Sequence, residues 1–238
     1  MLDHYDIGPW ETPSLAVDIV IMTADQGRLM ALVMQRSREP AAGRWALPGG
    51  FVRQGEGLEA AARRILADKA GLEQVYLEQL YTFGAPDRDP RTRVITVAYF
   101  ALVPPQRLTH VAGLGDSRSL APLSVPWSGE SGGPVGIQPS GDAPGELAFD
   151  HAEILGLAVK RLRGKLSYTD IGFALLPEHF TLRELRLVHE TISAKPLNKD
   201  SFRRRILAAG LVEVTGEHQS KVGHRPARLY RTKVQDRG

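Results

Sequence analysis

The feature that most constrains the fold is a glycine turn that leads directly into a helical segment. Residues 45–52 read Trp-Ala-Leu-Pro-Gly-Gly-Phe-Val, and residues 56–70 have helix-forming composition with Gly71 in the C-terminal stop position. Apolar, strand-like runs lie on both sides, at residues 14–24, 28–36, 74–83 and 94–103. The first two runs flank an Asp-Gln-Gly turn and predict a hairpin. The pattern therefore predicts an antiparallel or mixed sheet with a central helix.

The chain then becomes less regular. Residues 111–145 are rich in Gly, Pro and Ser, and we expect a partly ordered excursion there. Asp150-His-Ala-Glu153 matches a capping box, in which the first carboxylate caps the helix and the Glu bonds back. This pattern predicts a helix to about Leu166 that closes a first domain of residues 1–166.

The last part of the chain predicts two helices followed by two strands. Thr181-Leu-Arg-Glu184 is a second capping box, and the apolar residues that follow share one helical face. Asn198 is a candidate cap for a shorter helix through Ala209, with Phe202, Ile206 and Leu207 turned inward, three arginines outward and Gly210 at its end. Strand-like runs at 211–214 and 227–231 flank a polar loop. Helix, turn, helix and hairpin is the order of a winged helix-turn-helix, here residues 167–238.

Composition sets broader limits. At 238 residues, with 42% apolar and 24% charged residues, the chain fits a folded protein of two domains. It contains no cysteine, which excludes disulfides, thiolate metal sites and a Cys nucleophile. No apolar run reaches the length of a membrane span, and no export signal is visible at the N-terminus. We therefore expect no membrane association and a cytoplasmic location.

The N-terminal and C-terminal parts of the chain have net charges of opposite sign. Residues 151–238 hold 17 Lys and Arg against 9 Asp and Glu, whereas residues 1–150 hold 13 against 18. From Lys195 to the end the excess is 11 against 4. A basic module attracts polyanions, and this density favours duplex nucleic acid, although a solvated basic surface has the same composition.

The glycine turn and its helix carry a recognisable spacing. Gly50 is followed by Glu56, then by Arg64, and the segment ends in Gly71-Leu72. This framework resembles the signature of the Nudix hydrolases, G-x5-E-x7-R-E-U-x-E-E-x-G-U, where U is aliphatic. The resemblance implies that Glu56 and Arg64 are the structural pair that holds the loop to its helix. It also implies a Nudix-like mixed sheet and helix sandwich, so the fold class that we expect for the chain is α+β, this sandwich followed by the winged helix-turn-helix domain.

The metal-binding face of that signature is altered. Mg²⁺ requires clustered carboxylate oxygens, but Ile65 and Lys69 stand where the family places glutamates. Asp68 replaces a third glutamate. The remaining alternative is that Glu59 or Glu56 serves as a Mg²⁺ ligand. We expect no metal ligand, no catalytic residue and no required cofactor, with Ile65 filling the core beside Leu58 and Ala62.

A pocket can keep the side chains that bind its ligand after its metal-binding residues are lost. Guanidinium groups bind phosphate, aromatic faces stack on adenine, and glycines allow close backbone approach. The candidate effector-binding residues are Arg36 with the adjacent Gln35, Trp45, Gly49, Gly50, Tyr81, Arg88, Arg91 and Arg93.

The second domain offers candidate DNA-binding residues on the short helix and on the wing. A helix fits the major groove, and Arg reads guanine or contacts phosphate. The candidates are Asn198, Lys199, Ser201, Arg203, Arg204, Lys221, His224, Arg225 and Arg228.

Taken together, the segments 81–90, 147–153, 180–185, 202–206 and 225–231 resemble the Nudix-related transcriptional regulators of NAD metabolism. The resemblance implies a sensor for ADP-ribose or a related nucleotide, and a homodimer that represses NAD synthesis or salvage genes from a palindromic operator. In that family the effector generally releases the repressor from DNA. Two alternatives stay open: an active, Mg-dependent ADP-ribose pyrophosphatase with a basic tail, and a regulator that senses another sugar or phosphosugar.

Overall fold

The computed structural model describes residues 12–109, 117–140, 143–219 and 226–233. Within them, nine strands form one mixed sheet and two more form the wing hairpin. The strands are β1 Ser14–Asp25, β2 Arg28–Gln35, β3 Trp45–Ala46, β4 Gly49–Phe51, β5 Tyr76–Phe83, β6 Val94–Leu102, β7 Arg118–Ser124, β8 Gly136–Ser140, β9 Ala143–Gly145, β10 Val212–His218 and β11 Arg228–Thr232. No helix in these ranges is long and apolar enough to cross a membrane.

The long strand β1 organises the sheet. It runs parallel to β6 and antiparallel to both β2 and β4, and the main path is β5-β6-β1-β2-β7-β8-β9. The pairing of β1 with β2 ends with Asp25 opposite Arg28, which confirms the predicted hairpin. The parallel and antiparallel neighbours of β1 confirm the predicted mixed sheet.

Two helices cover the two faces of the sheet. Helix α1, Leu58–Ala70, packs on the face that carries Val17, Ile19 and Ile21, and it ends at Gly71 with φ of 61°. Such a left-handed conformation favours glycine. Helix α2, His151–Lys165, packs on the face that carries Val20 and Met22. The alternation along β1 therefore separates two apolar cores and confirms the sandwich.

The expectation of a partly ordered excursion at residues 111–145 missed three strands. Strand β7 pairs with β2, and β8 and β9 continue the sheet beyond it. The side chains of Ala121, Val135 and Ile137 are buried in the core. These strands are short and interrupted by Gly and Pro, and the burial of a few apolar side chains outweighs the turn-like composition. Residues 110–116 and 141–142 lie outside the described ranges.

The capping box predicted at Asp150 is also wrong, although α2 ends close to the predicted Leu166. Asp150 occupies the N-cap position but makes no side-chain capping bond. Its carboxylate instead accepts two hydrogen bonds from Arg88. A charged guanidinium is a stronger donor than the backbone amides of the first turn, and this contact is distant in sequence.

The C-terminal elements form a winged helix, as predicted. Helix α3, Leu182–Ser193, begins with the Thr181–Glu184 capping box, and helix α4, Lys199–Ala208, begins at Asn198, whose side chain accepts from two backbone amides. Phe202 and Ile206 are buried, but Leu207 is 41% exposed, so its predicted inward position was wrong. Strands β10 and β11 form the wing hairpin.

One apolar core joins the sheet to the winged helix. It contains Val20 of β1, Leu162 of α2, Phe180 and Ile206. Short 3-10 helices lie at Pro105–Arg107 and Ile171–Leu175, the second of them against α3. The C-terminal end of α2 is held by Arg163, which donates to the backbone oxygen of Ile192 at 2.9 Å.

Candidate functional site

A small cavity of about 150 Å³ lies beside the glycine turn, between β1, β4 and the start of α2. Five of the candidate effector-binding residues line it: Arg36, Gly49, Gly50, Arg88 and Arg91. The other four lie elsewhere, and Gln35 donates to the backbone oxygen of Gly43 at 2.9 Å. Trp45 is half-buried against the core, Tyr81 is 60% exposed on β5, and Arg93 donates to the backbone oxygen of Ala85.

A buried charge network forms one wall of this cavity. The Arg88 side chain is only 5% exposed and donates to both oxygens of Asp150, at 2.8 and 2.7 Å. Its Nη2 also lies 3.5 Å from the carboxylate of Asp18. Burial acts to lower the pKa of Arg88, but the hydrogen bonds and charges of its acidic partners raise it above the ordinary value. The guanidinium therefore stays charged.

His151, the first residue of α2, completes that wall, and the buried part of the wall formed by Asp18 and His151 is the floor of the cavity. Its Nδ1 accepts a hydrogen bond of 3.0 Å from the backbone N–H of Leu47. Burial lowers the pKa of His151, so the ring is neutral near pH 7 and carries its proton on Nε2. That nitrogen lies 3.8 Å from Oδ1 of Asp18.

Two further arginines supply positive charge. The guanidinium of Arg36 stacks over Phe149 at 4.8 Å from the ring centroid. Arg91 donates to both oxygens of Asp89, and this interaction lowers the pKa of Asp89. A second, open cavity of about 630 Å³ shares Arg88 and Phe149 with the first. The two together offer room for an elongated anionic ligand.

The Nudix-type pair lies next to the cavity. Glu56 accepts from Nε and Nη2 of Arg64 at 2.6 and 2.8 Å, and Arg64 also donates to the backbone oxygen of Phe51. The hydrogen bond from Arg64 lowers the pKa of Glu56 to about 2. The pair thus ties α1 to the glycine turn.

The residues present do not fit a Nudix metal centre. Ile65 is 1% exposed and packs in the α1 core with Ala62 and Leu58, and Lys69 is exposed. Asp68 faces Arg64 at 3.9 Å, and Glu59 is bonded to Arg63. Across the described ranges, no cluster of three or more His, Asp or Glu residues has the arrangement of a metal site. Because a hydrocarbon side chain lies at the centre of this helix face, the face does not offer the clustered carboxylates that a Nudix metal centre requires.

A basic groove of about 680 Å³ lies between α3, α4 and β11. Arg183, Arg186, Lys199, Arg203 and Arg228 line it. Of the other candidates, Asn198 caps α4, and Ser201 and Arg204 are exposed on it. Lys221, His224 and Arg225 lie outside the described residues. Arg186 is paired with Glu190, but the other four cations are exposed, and a groove flanked by them matches the charge of a phosphate backbone.

Sequence reasoning missed several residues that the fold brings to these sites. In the cavity they are Asp18, Asp89, Phe149 and His151, and in the groove Arg183 and Arg186. One signal was visible: Asp18 is the only charged residue in the apolar run from Leu15 to Met22. A charge inside a buried strand indicates a partner or a ligand.

The fold and its two sites define a class of protein, the Nudix-type sensor joined to a winged helix. The NUDIX domain profile matches residues 12–118, and the profile of the NrtR DNA-binding winged helix domain matches residues 172–232. The chain is 38% identical over 99% of its length to the ADPR responsive transcriptional repressor NtrR of Acinetobacter baylyi, and covers 88% of that protein. The chain belongs to the NrtR family of transcriptional regulators.

A solved structure and a second relative bear on this assignment. The crystal structure of Shewanella oneidensis NrtR complexed with a 27mer DNA superposes with a TM-score of 0.75 at 36% identity, covering 92% of this chain and 93% of that one. An ADP-ribose pyrophosphatase of Methanocaldococcus jannaschii is 37% identical over 87 residues, which are 37% of this chain and 49% of that enzyme.

Proposed function

We propose that this chain is a transcriptional repressor that binds duplex DNA through its winged helix and leaves it when ADP-ribose occupies the cavity near Gly49. We further propose a division into a sensor of residues 1–166 and a DNA-binding domain of residues 167–238. From the family resemblance we propose a homodimer that acts on a palindromic operator of NAD synthesis or salvage genes, and from the sequence we propose a cytoplasmic location.

The observation that carries the proposal is the combination, in one chain, of an exposed arginine row on α4 and a Nudix helix whose metal face lacks two of the expected carboxylates. Arg203, Arg204 and Arg205 are all exposed, whereas Ile65 is buried. The first feature suits binding to a polyanion, and the second suits recognition of a nucleotide without its hydrolysis. The similarity to the Acinetobacter repressor over almost the whole chain supports both assignments.

The second candidate function is ADP-ribose hydrolysis. It is favoured by the Glu56–Arg64 pair and by the similarity to the Methanocaldococcus enzyme. Two of the expected carboxylates are nevertheless Ile65 and Lys69, and the remaining Asp68 lies beside a guanidinium. We propose that the chain has no pyrophosphatase function and that the cavity binds its nucleotide as a signal.

The DNA-binding part is tested by titrating the chain onto its own upstream DNA at several salt concentrations. The double variant Arg203→Ala and Arg204→Ala removes two cations from α4, so we expect it to abolish DNA binding. Where binding is still measurable, the slope of log affinity against log salt concentration should move closer to zero by about 0.9 for each phosphate that is no longer neutralised. Arg63→Ala is the matched control, because Arg63 is an exposed helical arginine on α1. Equal binding by both variants would exclude α4 as the DNA-contacting helix.

A further inference from the structure

We propose that Asp18 and His151 together recognise a hydroxyl group of the terminal ribose of the effector at the floor of the small cavity. This inference rests on the proposed function, and it names the part of the nucleotide that the cavity selects. It makes Asp18 the residue that distinguishes ADP-ribose from nucleotides that lack the second sugar.

Asp18 is a buried carboxylate with free acceptor capacity. The residue is 8% exposed and lines the cavity. Its Oδ1 lies over Gly49, so close that a Cβ added to that glycine would sit 2.2 Å from it. Within the described part of the chain, the carboxylate lies near Arg88 and His151 at 3.5 and 3.8 Å but accepts no side-chain hydrogen bond, because Arg88 donates to Asp150 instead. Arg88 compensates the charge of Asp18, but among the described residues the buried carboxylate still lacks a hydrogen-bond donor, which a ligand hydroxyl would supply.

His151 provides the complementary group. With Nδ1 occupied by the Leu47 amide, Nε2 carries the donor hydrogen on the side that faces Asp18. A hydroxyl group donates one hydrogen bond and accepts others, so it can satisfy the carboxylate and the imidazole together. A phosphate oxygen only accepts, and it would meet the negative charge of Asp18. The floor of the cavity is therefore suited to a hydroxyl and not to a phosphate.

The surrounding groups set the direction in which the nucleotide lies. The Arg91 side chain is 49% exposed, so this guanidinium stands at the open side of the cavity. Arg91 is bonded to Asp89 through Nε and Nη2, so we infer that a diphosphate at this side receives hydrogen bonds from Nη1 of Arg91 and from Arg36. A volume of about 150 Å³ suits one sugar but not a nucleoside. The adenosine end then occupies the larger cavity that shares Phe149, and the terminal ribose reaches the floor.

The test is calorimetric titration of the full chain with ADP-ribose and with ADP. For Asp18→Ala we expect affinity for ADP-ribose to fall by about 10- to 100-fold, as for removal of a hydrogen bond to a charged group. Affinity for ADP should stay the same or rise, because a negative charge near the phosphates is removed. Asp25→Ala, which removes another carboxylate from β1 at the far end of that strand, should leave both affinities unchanged.

Ligand variants provide a measurement that does not depend on how Asp18→Ala folds. Among ADP-ribose analogues that each lack one hydroxyl of the terminal ribose, at least one should lose affinity for the unaltered chain to a similar extent. Equal losses of ADP-ribose and ADP affinity in Asp18→Ala, or full affinity for every analogue, would overturn the inference but leave the proposed function standing. If the unaltered chain binds neither nucleotide, both the effector of the proposed function and this inference are wrong.

Discussion

The guanidinium of Arg88 and the carboxylate of Asp150 form a two-point ion pair that joins the loop after β5 to the first turn of α2. Removing one partner of a buried pair leaves the other charge without compensation. We expect Asp150→Ala to lower the free energy of unfolding by about 3 kcal/mol, at the low end of the range because Asp18 stays near Arg88. Urea denaturation measures this loss. Asp87→Ala, which changes an exposed carboxylate one residue from Arg88, should change stability little, and a similar loss in both variants would contradict the role of the pair.

The Glu56–Arg64 pair should make stability depend on acid. The pKa of Glu56 is lowered from 4.5 to about 2, chiefly by the hydrogen bond from Arg64. A carboxyl with a lowered pKa in the folded state stabilises the protein above its unfolded pKa, and this contribution is lost as the pH falls from 4.5 towards 2. Glu56→Gln should lower the melting temperature at pH 7 and flatten its decline in that window. Glu59→Gln, which affects an exposed pair, should keep the wild-type profile.

His189 should make the winged helix sensitive to mild acid. Burial, together with the charge of Arg205, lowers the pKa of His189 to about 4 from 6.5. The unfolded chain takes up this proton at higher pH than the folded chain, so stability should fall by about 3 kcal/mol as the pH drops from 6.5 to 4. Melting curves of His189→Gln should lose most of this dependence. His179→Gln is the control, since His179 is partly exposed beside Glu217, and an unchanged profile in His189→Gln would contradict the assignment.

Ile65 should behave as a core residue. Truncation to Ala removes buried methyl groups beside Ala62 and Leu66, so Ile65→Ala should cost about 2 to 5 kcal/mol of unfolding free energy. Lys69→Ala, at the other altered position, is exposed and should stay within about 0.5 kcal/mol of the unaltered chain. Chemical denaturation of the two variants separates these results. Equal stabilities would show that Ile65 has no packing role.

Local sequence patterns predicted the turns and the ends of the helices, whereas contacts between residues distant in sequence could not be predicted from such patterns. The hairpin at Asp25, the stop at Gly71 and the caps at Thr181 and Asn198 depend on neighbours in sequence, and these predictions are confirmed. Asp150 looked like a cap in sequence, but its partner Arg88 is 62 residues away. No local pattern reveals such a pairing.

The candidate site shows the same division. The affinity of guanidinium groups for phosphate predicts Arg36 and Arg88 as site residues, and the fold brings them to one cavity with Gly49 and Gly50. Asp18 and His151 come from a central strand and a helix start, and their meeting depends on how α2 crosses the sheet. Only the register of the fold places them 3.8 Å apart.

The most direct measurement is fluorescence anisotropy of the chain bound to its own upstream DNA while ADP-ribose is added with Mg²⁺ present, followed by chromatography of the nucleotide. If the chain is a repressor that ADP-ribose releases from DNA, we expect salt-sensitive binding in the nanomolar range, release of the DNA by ADP-ribose, and recovery of the ADP-ribose intact. Failure to bind the upstream DNA, together with steady conversion of ADP-ribose to AMP, would contradict it.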